Sequence, residues 1–317
     1  SSMIGAQRTP RPCLSMKLTI SVVIFSAAQI KSPSFSRSSS STTTTVSASS
    51  GTIAKAMSAY DKDFSDAIYG IEEDGRYVTE SRLRKMLTHE TMLIENRLGR
   101  DKHPNKMFFS YANTVATIDF AKQFKGHGWV GIKFQVEPDE AYNEILIHIR
   151  FKENDARLQQ ETLGILGVNL IYGAFYKHND AKKLLRYLYD HLEKDQIEID
   201  TVNFSGPRFA DVDNRLMSLQ LVKYGFTDAV MFNPEGKNIL PAAVLYKKNI
   251  LALRGSFRPV TKVNMDMYKQ SYEMFIKENK VSKENTFVFF EIMLSNLKVE
   301  CEIDERDFLD REELLCS

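Results

Sequence analysis

Two segments of this chain alternate apolar and polar residues with period two on either side of a turn. Val130, Ile132, Phe134 and Val136 alternate with Gly131, Lys133 and Gln135; Ile145, Ile147, Ile149 and Phe151 alternate with Glu144, Leu146, His148 and Arg150. The link between them, Glu137-Pro138-Asp139-Glu140, is turn-like. Successive side chains of a strand point to opposite faces, so the pattern predicts an antiparallel pair with one buried and one polar face. It puts His148 on the polar face with Arg150, opposite Lys133. Residues 107–115 add a candidate third strand. Ahead of them, Leu83, Leu87, Ile94 and Leu98 recur at helical spacing and predict an amphipathic helix over 81–98.

The rhythm changes at Gln159. An apolar run over 159–176 is punctuated by Gly164, Gly167 and Gly173; the first two sit where close helix packing would use them. A polar break at 177–180 offers Asn179 or Asp180 as N-cap of a helix over 181–193. Four apolar strand candidates follow, each before a helical pattern: 197–204 before 214–224, 229–232 before 240–247, 250–253 before 264–277, and 286–293 before 304–315. Strands apolar on consecutive positions and alternating with helices argue a parallel sheet covered by helices. The expected fold class is therefore α/β: an N-terminal helix and antiparallel β-hairpin leading into a mostly parallel strand–helix sheet, with open sheet and partial barrel both left standing.

Residues 1–60 contain no Asp or Glu; the first acid is Asp61. Within them an apolar run over 18–28 has the shape of a signal-peptide core, too short to span a bilayer, and a Ser/Thr-rich, weakly basic stretch follows. This arrangement resembles the two-part leader of proteins entering algal plastids of secondary origin, with a disordered, partly untranslated stretch as the alternative. Three segments result: a leader over 1–58, an α+β region over 59–156, and an α/β domain over 157–317 read as cut short at its C-terminal end. The mature part, about 260 residues, suffices for one large domain or two modest ones. With 42 basic and 41 acidic residues interspersed, nothing pulls the chain toward nucleic acid or anionic membrane. Cys13, Cys301 and Cys316 form neither a CxxC motif nor a disulfide framework. The mature protein is expected to be soluble, organellar and most simply plastidial, with a cytoplasmic location as the alternative.

Ligands of parallel α/β folds bind at the carboxyl ends of the strands. After the first of the four strands come Ser205, Gly206, Pro207 and Arg208; after the third come Arg254, Gly255, Ser256, Phe257, Arg258 and, a little further, Lys262. Two guanidinium forks, a hydroxyl and backbone amides on a flexible turn are suited to a phosphate or carboxylate. The bland alternative is an ordinary turn with Arg258 paired to a surface acid. Glu291, inside the apolar fourth strand, is a candidate buried carboxylate, either functional or the partner of one of these arginines. In Lys125-Gly126-His127-Gly128-Trp129, a histidine between glycines is either a mobile binding loop or a tight turn entering a strand. No His, Cys, Asp or Glu spacing matches a zinc or iron site, and Asp200, Asp211 and Asp213 are too scattered for a metal cluster. There is no P-loop, no G-x-G-x-x-G after a strand and no G-x-S-x-G elbow.

The run from Phe124 to Gly255, with Phe124–Trp129, Leu158–Tyr176 and Asp211–Lys223 as its long phrases, and continuing through Leu253–Asn264, resembles a family of bacterial and algal proteins. Its members often carry the label nicotinate-nucleotide adenylyltransferase, occasionally TonB-dependent receptor. The receptor label does not suit an alternation of strands and helices. The transferase label implies a G-x-F-x-P-x-H-x-G-H motif after a strand. Here Gly173, Phe175 and His178 are present, proline is missing, and no second Gly-His follows. On that resemblance the protein transfers an adenylyl group from ATP, with Mg2+, to nicotinate mononucleotide. His178 and Arg258 would be the catalytic pair, His178 contacting the phosphates, while Arg254, Ser256 and Lys262 also neutralise developing charge. The alternative is a non-catalytic α/β protein that holds a phosphorylated or anionic metabolite with the same basic loop.

Overall fold

The computed structural model describes residues 16–26, 52–57, 69, 78–99, 102, 104–118, 125–293, 298–299 and 302–316. Its centre is an antiparallel sheet built on β3 (Lys106–Ala116), β4 (His127–Phe134), β5 (Asn143–Phe151) and β6 (Ile197–Ser205), neighbours in that order. The backbones of β1 (Met16–Ser26) and β2 (Thr52–Met57), from the stretch expected to be a leader, extend the sheet beyond β3.

Both faces of the sheet are covered. Thr79 caps helix α1 (Glu80–Leu98), its hydroxyl accepting from Arg82 N at 3.2 Å, and Gly99 ends the helix at φ 66°. Leu83, Met86, Leu87 and Ile94 of α1 bury against Phe108, Ala112, Trp129 and Leu146. The opposite face holds Ile145, Ile147, Ile149 and Phe151, packed under helix α2 (Ala156–Tyr176) and helix α3 (Ala181–Tyr187) through Leu166, Leu170, Leu184 and Leu185. Burying each of these side chains contributes roughly 1.5–3 kcal/mol, which is why α1 covers the face expected to be polar.

The β4–β5 hairpin forms as expected, but its register corrects one placement. Lys133 faces Glu144, and His148 faces Trp129. Paired residues of a hairpin lie equally far from its turn; Lys133 is one residue from the strand end and His148 is five past the strand start. His148 is also buried, 1% exposed, because its face is not open to solvent.

The mixed helix-and-sheet class stands, and the sheet is open. Among the described residues the expected parallel sheet shrinks to one pair. The first of the four strands, β6, runs antiparallel to β5. The reason lies in the connection: α2 carries the chain away from the end of β5 and α3 with its turn brings it back, so the next strand starts where the last one stopped. A single crossover helix would have made them parallel. Asp155 and Asp180 cap α2 and α3, and Asn169 Nδ2 donates to the carbonyls of Leu188 and Asp190 (3.0 and 2.7 Å), tying the two together. Between His148 and Ile149 the β5–β6 ladder shifts register by one residue.

After β6 comes helix α4 (Asn214–Lys223), then the short antiparallel pair β7 (Met231–Phe232) and β8 (Asn238–Ile239), and the single turn α5 (Pro241–Val244). Among the described residues only β9 (Asn249–Arg254) and β10 (Thr286–Glu291) pair in parallel, joined by α6 (Lys262–Phe275), whose Thr261 and Asn264 form a capping box. The backbone pair β11 (Lys298–Val299) and β12 (Glu302–Ile303) leads into α7 (Glu305–Cys316), which docks on the helix layer through Lys182–Glu305 (2.7 Å), Gln220–Glu305 (2.8 Å) and Arg215–Glu312 (2.8 Å). Among the described residues no helix is long and apolar enough to cross a membrane.

Candidate functional site

The residues expected to bind an anion are placed by the fold in three separate structural roles. Gly173, Ala174 and Phe175 belong to the last turn of α2, and His178 lies just past it, its Nδ1 donating to the carbonyls of Ala174 (3.1 Å) and Phe175 (3.2 Å). His178 thus caps a helix C-terminus. The strand-end cradle required by the transferase motif is not formed there, and the exposed carbonyls of a helix C-terminus carry partial negative charge that disfavours phosphate.

Ser205 ends β6, exposed, paired with Glu144 across the ladder. Arg208 follows on a 3-10 turn, with Nε 2.5 Å from Glu140 and Nη2 3.0 Å from Glu137, and its backbone N–H donates to Asn143 Oδ1 at 2.8 Å. It clamps the β4–β5 hairpin turn.

The Arg254–Lys262 loop is a docking loop as built. Arg254 pairs with Glu291 at 3.0 Å, Gly255 N–H donates to the Glu291 carbonyl at 3.1 Å, and Arg258 Nε lies 3.2 Å from Asp307 of α7. The Ser256 carbonyl accepts from Arg311 at 2.8 Å. Glu291 is consequently no buried carboxylate: its side chain is 37% exposed and serves as the partner of Arg254. Lys262 is exposed at the start of α6, beside an open depression lined by Val260, Thr261, Met265 and Lys269.

The sheet itself assembles a cluster that local pattern did not reveal. His127 opens β4, so the Lys125–Trp129 phrase is a strand entry, fastened by Phe151 N–H donating to the Gly126 carbonyl at 2.8 Å. His127 Nδ1 lies 3.3 Å from His148 Nε2, and His148 Nδ1 lies 2.7 Å from Asp200 Oδ1. His148 and Asp200 are almost wholly buried, while His127 is partly exposed. Trp129 sets its ring edge-on to His148, centroids 5.0 Å apart, and shields it from water. Burial, and then the charge of His148, lower the His127 pKa to about 4. Arg150 faces His127 across the ladder, 53% exposed, and its nearest carboxylate oxygen among the described residues, on Glu198, is 3.8 Å away. Glu198 is instead engaged by the Thr227 hydroxyl at 2.8 Å.

Three strands thus converge on a row of acid, imidazole and imidazole that ends beside a guanidinium. Its signal in the sequence was one histidine on each of two neighbouring strands, two rungs apart, His127 opposite Arg150 and His148 opposite Trp129. Among the described residues no group of three or more His, Cys, Asp or Glu could hold a metal ion. No family model, no curated protein and no solved structure matches this chain.

Proposed function

We propose that this chain binds a small anionic metabolite at the end of its central sheet, on Arg150. The carrying observation is the looseness of the Arg150 ion pair. Among the described residues its closest carboxylate oxygen is 3.8 Å away, while Arg208, Arg254 and Arg258 each have one at 2.5 to 3.2 Å. A guanidinium fork not saturated by an internal acid has donors for an incoming phosphate or carboxylate. The exposed Lys125, on the loop beside Phe151, adds charge of the same sign, and His127 faces Arg150 across the ladder.

Adenylyl transfer from ATP–Mg2+ to nicotinate mononucleotide is the sharper alternative, drawn from the resemblance; it requires phosphates at His178, against the negative end of α2. The acid-free N-terminal stretch supports placing the protein in a plastid-like organelle.

Thermal shift of the full chain with inorganic phosphate, and separately with ATP–Mg2+, tests the reading, since a ligand specific for the folded state raises its melting temperature. The expected result is stabilisation by phosphate that Arg150→Ala abolishes and Arg254→Ala leaves intact. No response to phosphate, or a response lost in Arg254→Ala and kept in Arg150→Ala, overturns it. A response to ATP–Mg2+ lost in His178→Ala transfers support to the nucleotidyl-transfer reading.

A further inference from the structure

The row Asp200–His148–His127 has a direction. A carboxylate only accepts, so the 2.7 Å contact fixes the proton of His148 on Nδ1. The lone pair of a neutral His148 then sits on Nε2 and faces His127 Nδ1 at 3.3 Å, which must donate. The free end of the row is therefore the Nε2 lone pair of His127, the partly exposed member.

We infer that the two imidazoles act as a single proton-accepting relay: His127 Nε2 takes a proton from a hydroxyl of the bound anion, and the charge settles on His148 against Asp200. The substrate class rests on the anion-binding reading; the relay rests on the ligand-free geometry. In the step, the substrate O–H bond breaks and an N–H bond forms at His127 Nε2. The Nδ1 proton of His127 moves to His148 Nε2. The products are an alkoxide, a neutral His127 and an imidazolium at His148 paired with the Asp200 carboxylate.

The surroundings decide where the charge rests. His148 has Asp200 at 2.7 Å, with the two side chains 2% and 5% exposed, so their attraction is little screened. Trp129 lies against it edge-on. His127 faces Arg150 across the ladder, whose positive charge opposes a second one there; Glu198 lies beyond Arg150, and Lys125 two residues before. From the other side of β6, the Tyr189 hydroxyl points to the carbonyls of Ile197 and Phe226 and stays neutral. The low pKa of His127, held down to about 4 by burial first and then by the charges of His148 and Arg150, keeps His127 itself neutral. His127 is the group that would touch substrate; His148 and Asp200 position it and carry the charge.

Two-bond 1H–15N correlation NMR of the 15N-histidine-labelled full chain reads the tautomers directly. At pH 8 both histidines are expected to carry their proton on Nδ1. As the pH falls, His148 is expected to become doubly protonated first, and in the same step His127 switches its proton from Nδ1 to Nε2. His127 becoming the first imidazolium, or already holding Nε2–H at pH 8, overturns the relay. Asp200→Asn is expected to release the His148 proton from Nδ1, so that His148 no longer holds a single tautomer at pH 8; should that variant fail to fold, the wild-type spectra still decide. Glycerol 3-phosphate, an anion with free hydroxyls, is expected to shift the His127 Nε2 resonance in wild type and not in Arg150→Ala. A tautomer switch without any such shift removes the substrate class and keeps the relay; a shift without the switch removes the relay alone.

Discussion

Arg254 and Glu291 occupy paired positions on the two parallel strands and close a two-point ion pair, Nε to Oε2 at 3.1 Å and Nη2 to Oε1 at 3.0 Å. The Arg254 side chain is 62% exposed, and exposed pairs contribute about 0–1 kcal/mol. Arg254→Ala is therefore expected to lower stability by less than about 1 kcal/mol in a urea titration. A larger loss would mean that the pair holds β9 to β10.

Asp307 has a heavier task than its arginine neighbours on the loop. It accepts from Arg311, whose side chain is 3% exposed, and from Arg258, which is 59% exposed. Asp307→Ala would leave Arg311 buried without its carboxylate, a change that costs about 3–5 kcal/mol. Arg258→Ala should cost less than about 1 kcal/mol. Chemical denaturation of both variants checks the contrast; equal losses would contradict it.

Gly164 and Gly167 sit one turn apart on α2 and are expected to respond in opposite directions to alanine. A Cβ at Gly167 would meet the Tyr111 hydroxyl at 2.6 Å, whereas a Cβ at Gly164 would meet nothing within 4 Å. Gly167→Ala should destabilise by about 1–3 kcal/mol through overpacking. Gly164→Ala should stabilise by about 0.5–1 kcal/mol through helix propensity. Melting temperatures of the two single variants suffice, and destabilisation by Gly164→Ala would show that the outer face of α2 is covered in solution.

His127 makes stability depend on pH. Its folded pKa, about 4, lies below the ordinary 6.5, so protons favour the unfolded chain. The contribution of the neutral imidazole is whole above about pH 6.5 and is lost as pH falls toward 4, about 1.4 kcal/mol per unit. Between pH 7.5 and 4.5 the urea midpoint should report a loss of about 2–3 kcal/mol from this group, and His127→Gln should flatten that part of the curve. An unchanged slope in the variant would assign the loss to other groups.

Elements were legible in the sequence; their partners were not. Asp180, one of two expected N-caps, does cap its helix, and α1, α4, β3 and β6 fall within a residue or two of their expected bounds; the caps Thr79, Asp155 and Thr261 are not among the expected ones. The direction of β6 depends on α3 returning the chain, a fact of helix packing that no window of strand residues contains. The site suffered from the same gap. Arg254, Arg258 and Arg208 have suitable chemistry, but Glu291, Asp307 and Glu140 neutralise them from elements far away in sequence. Asp200 looked like one of three scattered acids until β6 was laid beside β5, where it meets His148.

The register shift in β6 has a consequence for how an acid can live inside this sheet. Ile197 and Ile199 enter the core at odd positions, yet Val202 and Phe204 enter it at even ones, with Asp200 and Thr201 together opposite His148. An unbroken pleat that kept Asp200 beside the imidazole would swing Val202 and Phe204 out toward the wrong layer. The extra residue is a phase slip that lets one strand serve two incompatible alternations, an apolar one for the helices behind it and a polar one for the histidines in front. Removing Thr201 would leave an unbroken alternation in which Asp200 stays on the histidine side while Val202 and Phe204 keep to the core.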